Sequence, residues 1–338
     1  LANHLMSNSP TLSYASLLSL AIPAMASSLL NNTYRIIDQY SVKWLGTEAQ
    51  AAIGSSTFIL IAAYSLFFII SGGVGPLISR ATGAGKTTEK QILIGQSLIA
   101  IIGTAIIFCL VLICCNSWIS SWLGIYGNAA SEMETYLFWL GLTGFFIAFG
   151  PLIDAIYINV GNTKFPMILQ LISTILNGIL NWFLIYKLNL GIAGAAIASG
   201  CSRAVVSIIG IYYLYKDFTP TYTIDKSLKR IIKIGMPMSF GIVSYAVVYW
   251  AILNTSLSPL GPHVNAALGI GFSVLEGFSW PLYAGIMVSV SSLIGRQLGA
   301  KDLKGTDQTI KLALTISTTV GILITIAFYL FTEPVCKL

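Results

Sequence analysis

The chain has 338 residues, 56% of them hydrophobic and only 9% charged, with a mean hydropathy of +0.82. Soluble globular proteins carry roughly 25% charged residues, so a water-soluble exterior is excluded and an integral membrane protein is implied. The net charge of +6 does not indicate nucleic acid, because the basic residues are confined to particular loops. The cysteines (Cys109, Cys114, Cys115, Cys201 and Cys336) lie in or beside apolar runs without C-x-x-C spacing. They read as small core hydrophobes and not as disulfides or metal ligands.

Nine segments are long enough to cross about 30 Å of hydrocarbon; they cover 12–40, 51–79, 92–115, 133–158, 166–186, 192–215, 231–257, 265–293 and 310–331. Helices are expected, since barrel strands would be about ten residues long and strictly alternating. The first segment holds Pro23 and, fifteen residues on, Asp38. Ser27, Asn31, Tyr34, Arg35 and Asp38 fall at i, i+4, i+7, i+8 and i+11, which at about 100° per residue makes one narrow polar stripe. A carboxylate on such a helix costs roughly 2.5–3.5 kcal/mol and marks an ion or substrate path. The competing reading pairs Asp38 with Arg35 one turn back.

Basic residues follow the second segment (Arg80, Lys86, Lys90), the fourth (Lys164), the sixth (Lys216, Lys226, Lys229, Arg230, Lys233) and the eighth (Arg296, Lys301, Lys304, Lys311). The opposite side has only Lys43, Lys187 and Lys337. By the positive-inside rule the even-numbered segments end in the cytoplasm, and the N-terminus starts there. Arg35 and Arg203 remain inside apolar segments. In the fifth segment Gln170, Ser173, Thr174, Asn177 and Asn181 share one face, because residues three and four apart stack on a helix.

An internal repeat is present. Pro23 aligns with Pro237, Leu45-Gly46 with Leu260-Gly261, and the stretch from Arg80 through Gly83 to Ala84 with that from Arg296 through Gly299 to Ala300. The offset drifts only from 214 to 216. An even number of segments separates the copies, so both have the same orientation, a transporter signature. The second copy lacks counterparts of the fourth to sixth segments, so the expectation is a fragment or decayed copy of a twelve-helix protein. The expected division is an N-terminal six-helix lobe at 1–215, a cytoplasmic linker at 216–230 and a partial second lobe at 231–338. Gly85-Lys86-Thr87 is no P-loop, since no strand precedes it. No catalytic triad, paired catalytic carboxylates or metal cluster is evident, so an enzyme is not expected.

The run from Pro23 through Asp38 to Leu45-Gly46 resembles the opening motif of the MATE (multidrug and toxic compound extrusion) transporters, within the wider multidrug, oligosaccharidyl-lipid and polysaccharide flippase superfamily. GAGKTTEK at 83–90 and GAKDLKG at 299–305 resemble that family's cytoplasmic loops. GNTKFPM at 161–167 and GIAGAAIAS at 191–199 resemble its loops before the fifth and sixth helices. The resemblance implies an all-α, two-lobed membrane bundle with a cation-coupling site at Asp38, Asn177, Asn181 and Ser199, and more weakly Tyr136. The bland alternative for Asn177 and Asn181 is interhelical glue, worth about 0.6 kcal/mol each.

Two departures from the family pattern bear on coupling. Asn181 stands where some members have an aspartate, and Tyr245 where others have a glutamate; Glu276, on the eighth segment, is the nearest acid. Na⁺ on the oxygens of Asp38, Asn177 and Asn181 and a proton on Asp38 both stay open. No other cofactor is expected. Asp38 maps in the second copy to Ile252 or Leu253, and Glu276 in the first to Ile61, so the acids lack mates as a unique binding site would. Pro23 removes one helix hydrogen bond and offers a bend beside the site.

Tyr245, Tyr249, Trp250, Trp280 and Tyr283, with Glu276, are candidates to line a cavity for flat organic cations. Trp44, Trp118 and Trp122 fit an interfacial belt instead. The expected function is a secondary antiporter, monomeric in the inner or plasma membrane, exporting small cationic amphipathic compounds for H⁺ or Na⁺. Its partners are small-molecule substrates and membrane lipids. The alternatives are a lipid-linked glycan flippase, which needs a strongly cationic cavity, and a non-functional fragment.

Overall fold

The computed structural model describes residues 14–223, 225–252 and 262–336; the side chains of Tyr249, Trp250 and Glu276 lie outside the described set. The helices are α1 (Tyr14–Ser41), α2 (Thr47–Gly83), α3 (Thr87–Cys114), α4 (Asn116–Trp122), α5 (Asn128–Thr143), α6 (Phe149–Val160), α7 (Lys164–Asn181), α8 (Gly191–Phe218), α9 (Ser227–Ile252), α10 (Pro262–Gly299) and α11 (Leu303–Cys336). A 3-10 turn, Gly144–Ala148, joins α5 to α6, and a π turn, Trp182–Lys187, extends α7. Each expected segment therefore falls on helical backbone over its described residues, apart from Cys115 at the end of the third. Among the described residues, seven helical runs are long and apolar enough to cross a membrane. The chain is an all-α membrane protein.

The short α4 was not expected. It carries Trp118 and Trp122, both more than 60% exposed and stacked at 6.3 Å between ring centroids. Trp44, 73% exposed, lies in the loop between α1 and α2. Amphipathic rings at helix ends suit the headgroup level of a bilayer. The four described cysteines are free, but they are not core residues as expected: Cys114 and Cys201 are exposed and Cys109 and Cys115 half-buried, as apolar thiols can be on a surface that faces lipid.

The helices reverse the polarity of soluble ones. On α7 the polar residues Gln170, Ser173, Thr174, Asn177 and Asn181 are all buried, while Ile168, Leu171, Ile172, Ile175 and Ile179 are exposed. Lipid is as apolar as leucine, so burying apolar side chains gives no driving force there; packing and interhelical hydrogen bonds hold the bundle instead. Small residues serve that packing. Gly194, Ala195, Ala196, Ala198, Ser199, Gly200 and Ser202 form the buried side of α8. The apolar centre sits between α2 and α3, where the fully buried rings of Phe67 and Phe108 meet edge to face at 5.1 Å.

The repeat is visible in the packing. α2 lies along α9, and its mate α10 lies along α1, the mate of α9. α2 and α10 also meet each other, and they do so reciprocally. A Cβ built on Gly83 would stand 1.8 Å from the Arg296 carbonyl oxygen, and one on Gly299 would stand 2.1 Å from the Arg80 carbonyl oxygen. Both glycines are thus required by the close approach of two backbones. Because Gly83 aligns with Gly299 and Arg80 with Arg296, the contact is a two-fold one between repeat mates.

Gly83→Val is expected to destabilise by about 1–3 kcal/mol through overpacking. Gly103→Ala, at a position with nothing within 4 Å of the added carbon, is expected to be silent. Thermal unfolding of the two variants in one detergent checks both.

Candidate functional site

α1 is helical from Tyr14 to Ser41, with Pro23 inside it. The proline has no N–H to give to the carbonyl one turn back. The inner face of α1 meets the polar face of α7 and the small-residue face of α8. At that junction the Asp38 carboxylate accepts three hydrogen bonds. Asn177 Nδ2 and Asn181 Nδ2 donate to Oδ1 at 2.9 and 2.8 Å, and Ser199 Oγ donates to Oδ2 at 3.0 Å. The donors are themselves linked. Asn181 Nδ2 reaches Asn177 Oδ1 at 3.2 Å, and Asn177 Nδ2 reaches Ser199 Oγ at 3.4 Å.

Asn177 and Asn181 are fully buried and Ser199 is nearly so. Among the described residues, buried Asn181 Oδ1 has no hydrogen-bond partner. Asn181 turns its Nδ2 to the carboxylate, and half a turn of that amide would set this unmatched oxygen beside Asp38 as a pair of hard donors, the set that a cation such as Na⁺ favours. Asn177 Oδ1 and Ser199 Oγ would complete it. Backbone pairing also changes here, since the π turn begins at Trp182, one residue after Asn181. Such turns are frequent at functional sites.

Four of the sequence candidates therefore converge. Tyr136, on α5, is buried close by but makes no hydrogen bond to Asp38. Arg35 does not pair with Asp38: it is exposed, and the described ion pairs do not include it. The polar stripe is broader than the narrow one expected: Arg35 sits about 60° round α1 from Asp38, on an exposed flank.

Arg203 was left without a partner by the sequence, and the structure supplies several. Its guanidinium donates to Gln170 Oε1 at 2.8 Å and to Asn31 Oδ1 at 2.9 Å, and stands 4.3 Å from the centre of the Tyr34 ring. The Tyr34 hydroxyl in turn meets Ser202 Oγ at 3.1 Å. Sequence reasoning missed this clamp between α1, α7 and α8. The available signal was a basic residue in an apolar run, four residues past Ser199 and so on the same face of its helix.

Of the aromatic candidates, the side chains of Tyr245, Trp280 and Tyr283 are described. Tyr245 on α9 and Trp280 on α10 are each more than half exposed. Tyr283 instead lines a groove of about 500 Å³ between α10 and α11, with Ser317, Thr318, Gly321 and Thr325. Among the described residues no group of three or more His, Cys, Asp or Glu side chains is placed to hold a metal ion.

The MatE family model matches residues 23–183 and 237–338. Its two matches begin at Pro23 and Pro237, the mates that open the internal repeat. The chain belongs to the MatE family. "Multidrug export protein MepA" of Staphylococcus saprophyticus is 27% identical over 267 residues, which is 76% of this chain and 58% of that protein. "Probable multidrug resistance protein NorM" of Thermotoga maritima is 26% identical over 340 residues, 95% of this chain and 71% of that one. The fold matches a solved multidrug resistance MATE transporter in an outward-facing conformation with a TM-score of 0.88, at 22% identity over 95% of this chain and 73% of that one. It also matches a MOP superfamily transporter from Pyrococcus furiosus with a TM-score of 0.87, at 21% identity and the same coverage of each chain.

A double-mutant cycle between Asp38→Asn and Asn177→Ala, read by unfolding in lipid, is expected to give a coupling of about 0.6–1.7 kcal/mol. The same cycle between Asp38→Asn and Arg35→Gln is expected to give none. A larger coupling to Arg35 than to Asn177 would refute the assignment of partners.

Proposed function

We propose that this MatE-family chain takes part in exporting small, cationic amphipathic organic compounds across the membrane in exchange for a cation held at Asp38. The observation that carries the reading is the Asp38 carboxylate bound by three donors from two other helices, with the oxygen of one of the donating amides, Asn181 Oδ1, buried and unmatched. The names of the relatives, multidrug export and multidrug resistance proteins, support the substrate class. The chain spans 58% of the first of these relatives named above and 71% of the second, so the activity of the whole protein enters here as part of the proposal.

Asp38, Asn177, Asn181 and Ser199 would hold the ion, whose chemistry is to neutralise the carboxylate. The rest follows from the chain's own residues. Charge-assisted hydrogen bonds are the stronger kind, and all three run from α7 and α8 to a single group on α1. Neutralising that group weakens the three together and lets α1 repack about Pro23, where its backbone already lacks one bond. A change in α1 packing biases the bundle between two access states, and substrate is carried as it rocks. Na⁺ is favoured over H⁺ because the unmatched amide oxygen gives a metal cation a ligand that a proton on Asp38 does not use.

A glycan flippase is less well supported. Its anionic headgroup needs free cations in the cavity, whereas the Arg203 guanidinium is engaged by Gln170, Asn31 and the Tyr34 ring. Arg35 is exposed on α1.

Transport of a fluorescent organic cation in proteoliposomes tests the reading. Asp38→Asn is expected to slow sodium-driven export by roughly 5–150-fold, the range of ordinary coupling energies. Asn181→Ala is expected to weaken its sodium dependence. Export by Asp38→Asn at the parent rate would remove the site from the mechanism. Export that follows an imposed pH gradient and ignores sodium would transfer the same carboxylate to proton coupling.

A further inference from the structure

We propose that a basic cleft at the charged ends of α2 and α9 binds the phosphate group of an anionic lipid headgroup, bridging the two copies of the repeat. The cleft encloses about 210 Å³ and lies between Arg80 of α2, Lys86 and Glu89 at the start of α3, Arg230 of α9 and Gly299 at the end of α10, with Leu77 on its apolar wall. It is separate from the Asp38 site and does not depend on which ion that site takes.

The charges in it are unbalanced. Glu89 serves two cations at once, with Lys86 Nζ at 3.4 Å and Arg230 NH1 at 3.1 Å. Arg80 is in no ion pair among the described residues. Among the residues that line the cleft, three cations therefore face one carboxylate, leaving a net charge of two. Guanidinium groups suit a phosphate because their fork matches its oxygens in pairs.

Position selects the source. The cleft sits where spanning helices end on the basic side of the chain, which is where lipid headgroups are expected. Basic pockets between helices on that side recognise lipid phosphates, and each Lys or Arg near the surface adds about 1 kcal/mol of attraction to an anionic leaflet. An anion held by both Arg80 and Arg230 joins α2 to α9, a few residues from the contact of Gly83 with Arg296 and of Gly299 with Arg80. Its effect is to favour the state in which this end of the bundle is closed.

The full chain in detergent, titrated with phosphatidylglycerol, with phosphatidylcholine of the same acyl chains and with inorganic phosphate, tests this by lipid retention in native mass spectrometry and by thermal unfolding. Phosphatidylglycerol is expected to be retained over phosphatidylcholine. Arg80→Gln and Arg230→Gln are each expected to weaken that retention about fivefold. Lys164→Gln, which removes an exposed cation on the same side but outside the cleft, is expected to weaken it less than either arginine variant, by the unspecific share of the attraction alone. Glu89→Gln is expected to tighten retention, a gain that no folding defect imitates. Stabilisation by inorganic phosphate that displaces phosphatidylglycerol supports the same phosphate site with its ligand drawn from solution. No preference for either, weaker retention in Glu89→Gln, or equal losses in Lys164→Gln and Arg80→Gln overturns the proposal.

Discussion

A negative charge inside a bilayer has to be answered by protein, because the hydrocarbon offers it nothing. Here the answer to Asp38 comes from Asn177, Asn181 and Ser199, on helices that lie more than a hundred residues further along the chain. The register of α1 against α7 and α8 is fixed by that requirement, since sliding any of them by one turn would part the carboxylate from at least one of its three donors. Arg203 repeats the constraint on the same three helices, through Asn31 and Gln170. The polar residues of this lobe thus specify one alignment where apolar packing alone would tolerate several.

The scaffold and the site obey different symmetries. α1, α2 and α3 have mates in α9, α10 and α11, and the α2–α9 and α10–α1 interfaces correspond. Prolines, turn glycines and the arginines at the helix ends occur in both copies because both copies need them to fold. Asp38 occurs once. Ile252 or Leu253 stands at the matching place of the second copy. A duplicated frame with a single charged site gives the two halves unequal energies when that charge is neutralised.

Much of this was legible in the residues, for identifiable reasons. Long apolar runs with charges between them mark spans whatever the tertiary fold, so the helices fell where hydropathy places them. The five polar residues of α7 were readable as one face, and all five are buried. Asp38 was conspicuous by its cost. Contacts between helices were less accessible. Helical periodicity put Arg35 beside Asp38 on the stripe, but the angle at which α7 and α8 approach decides which side of the stripe is inside, and that angle is a property of three helices. The partners of Arg203 were hidden for the same reason. The aromatic residues of α9 and α10 looked alike in sequence, since a ring at an interface and a ring in a cavity have the same composition.

The meeting of α2 and α10 has a character of its own. Gly83 and Gly299 touch carbonyl groups of the opposing backbone, with no ionisable side chain in the contact. A fastening of that kind is indifferent to ionic strength, whereas the arginines of the nearby basic cleft respond to it. One end of the molecule thereby combines a mechanical latch of fixed strength with an adjustable one, and the composition of the surrounding leaflet can tune the second without disturbing the first.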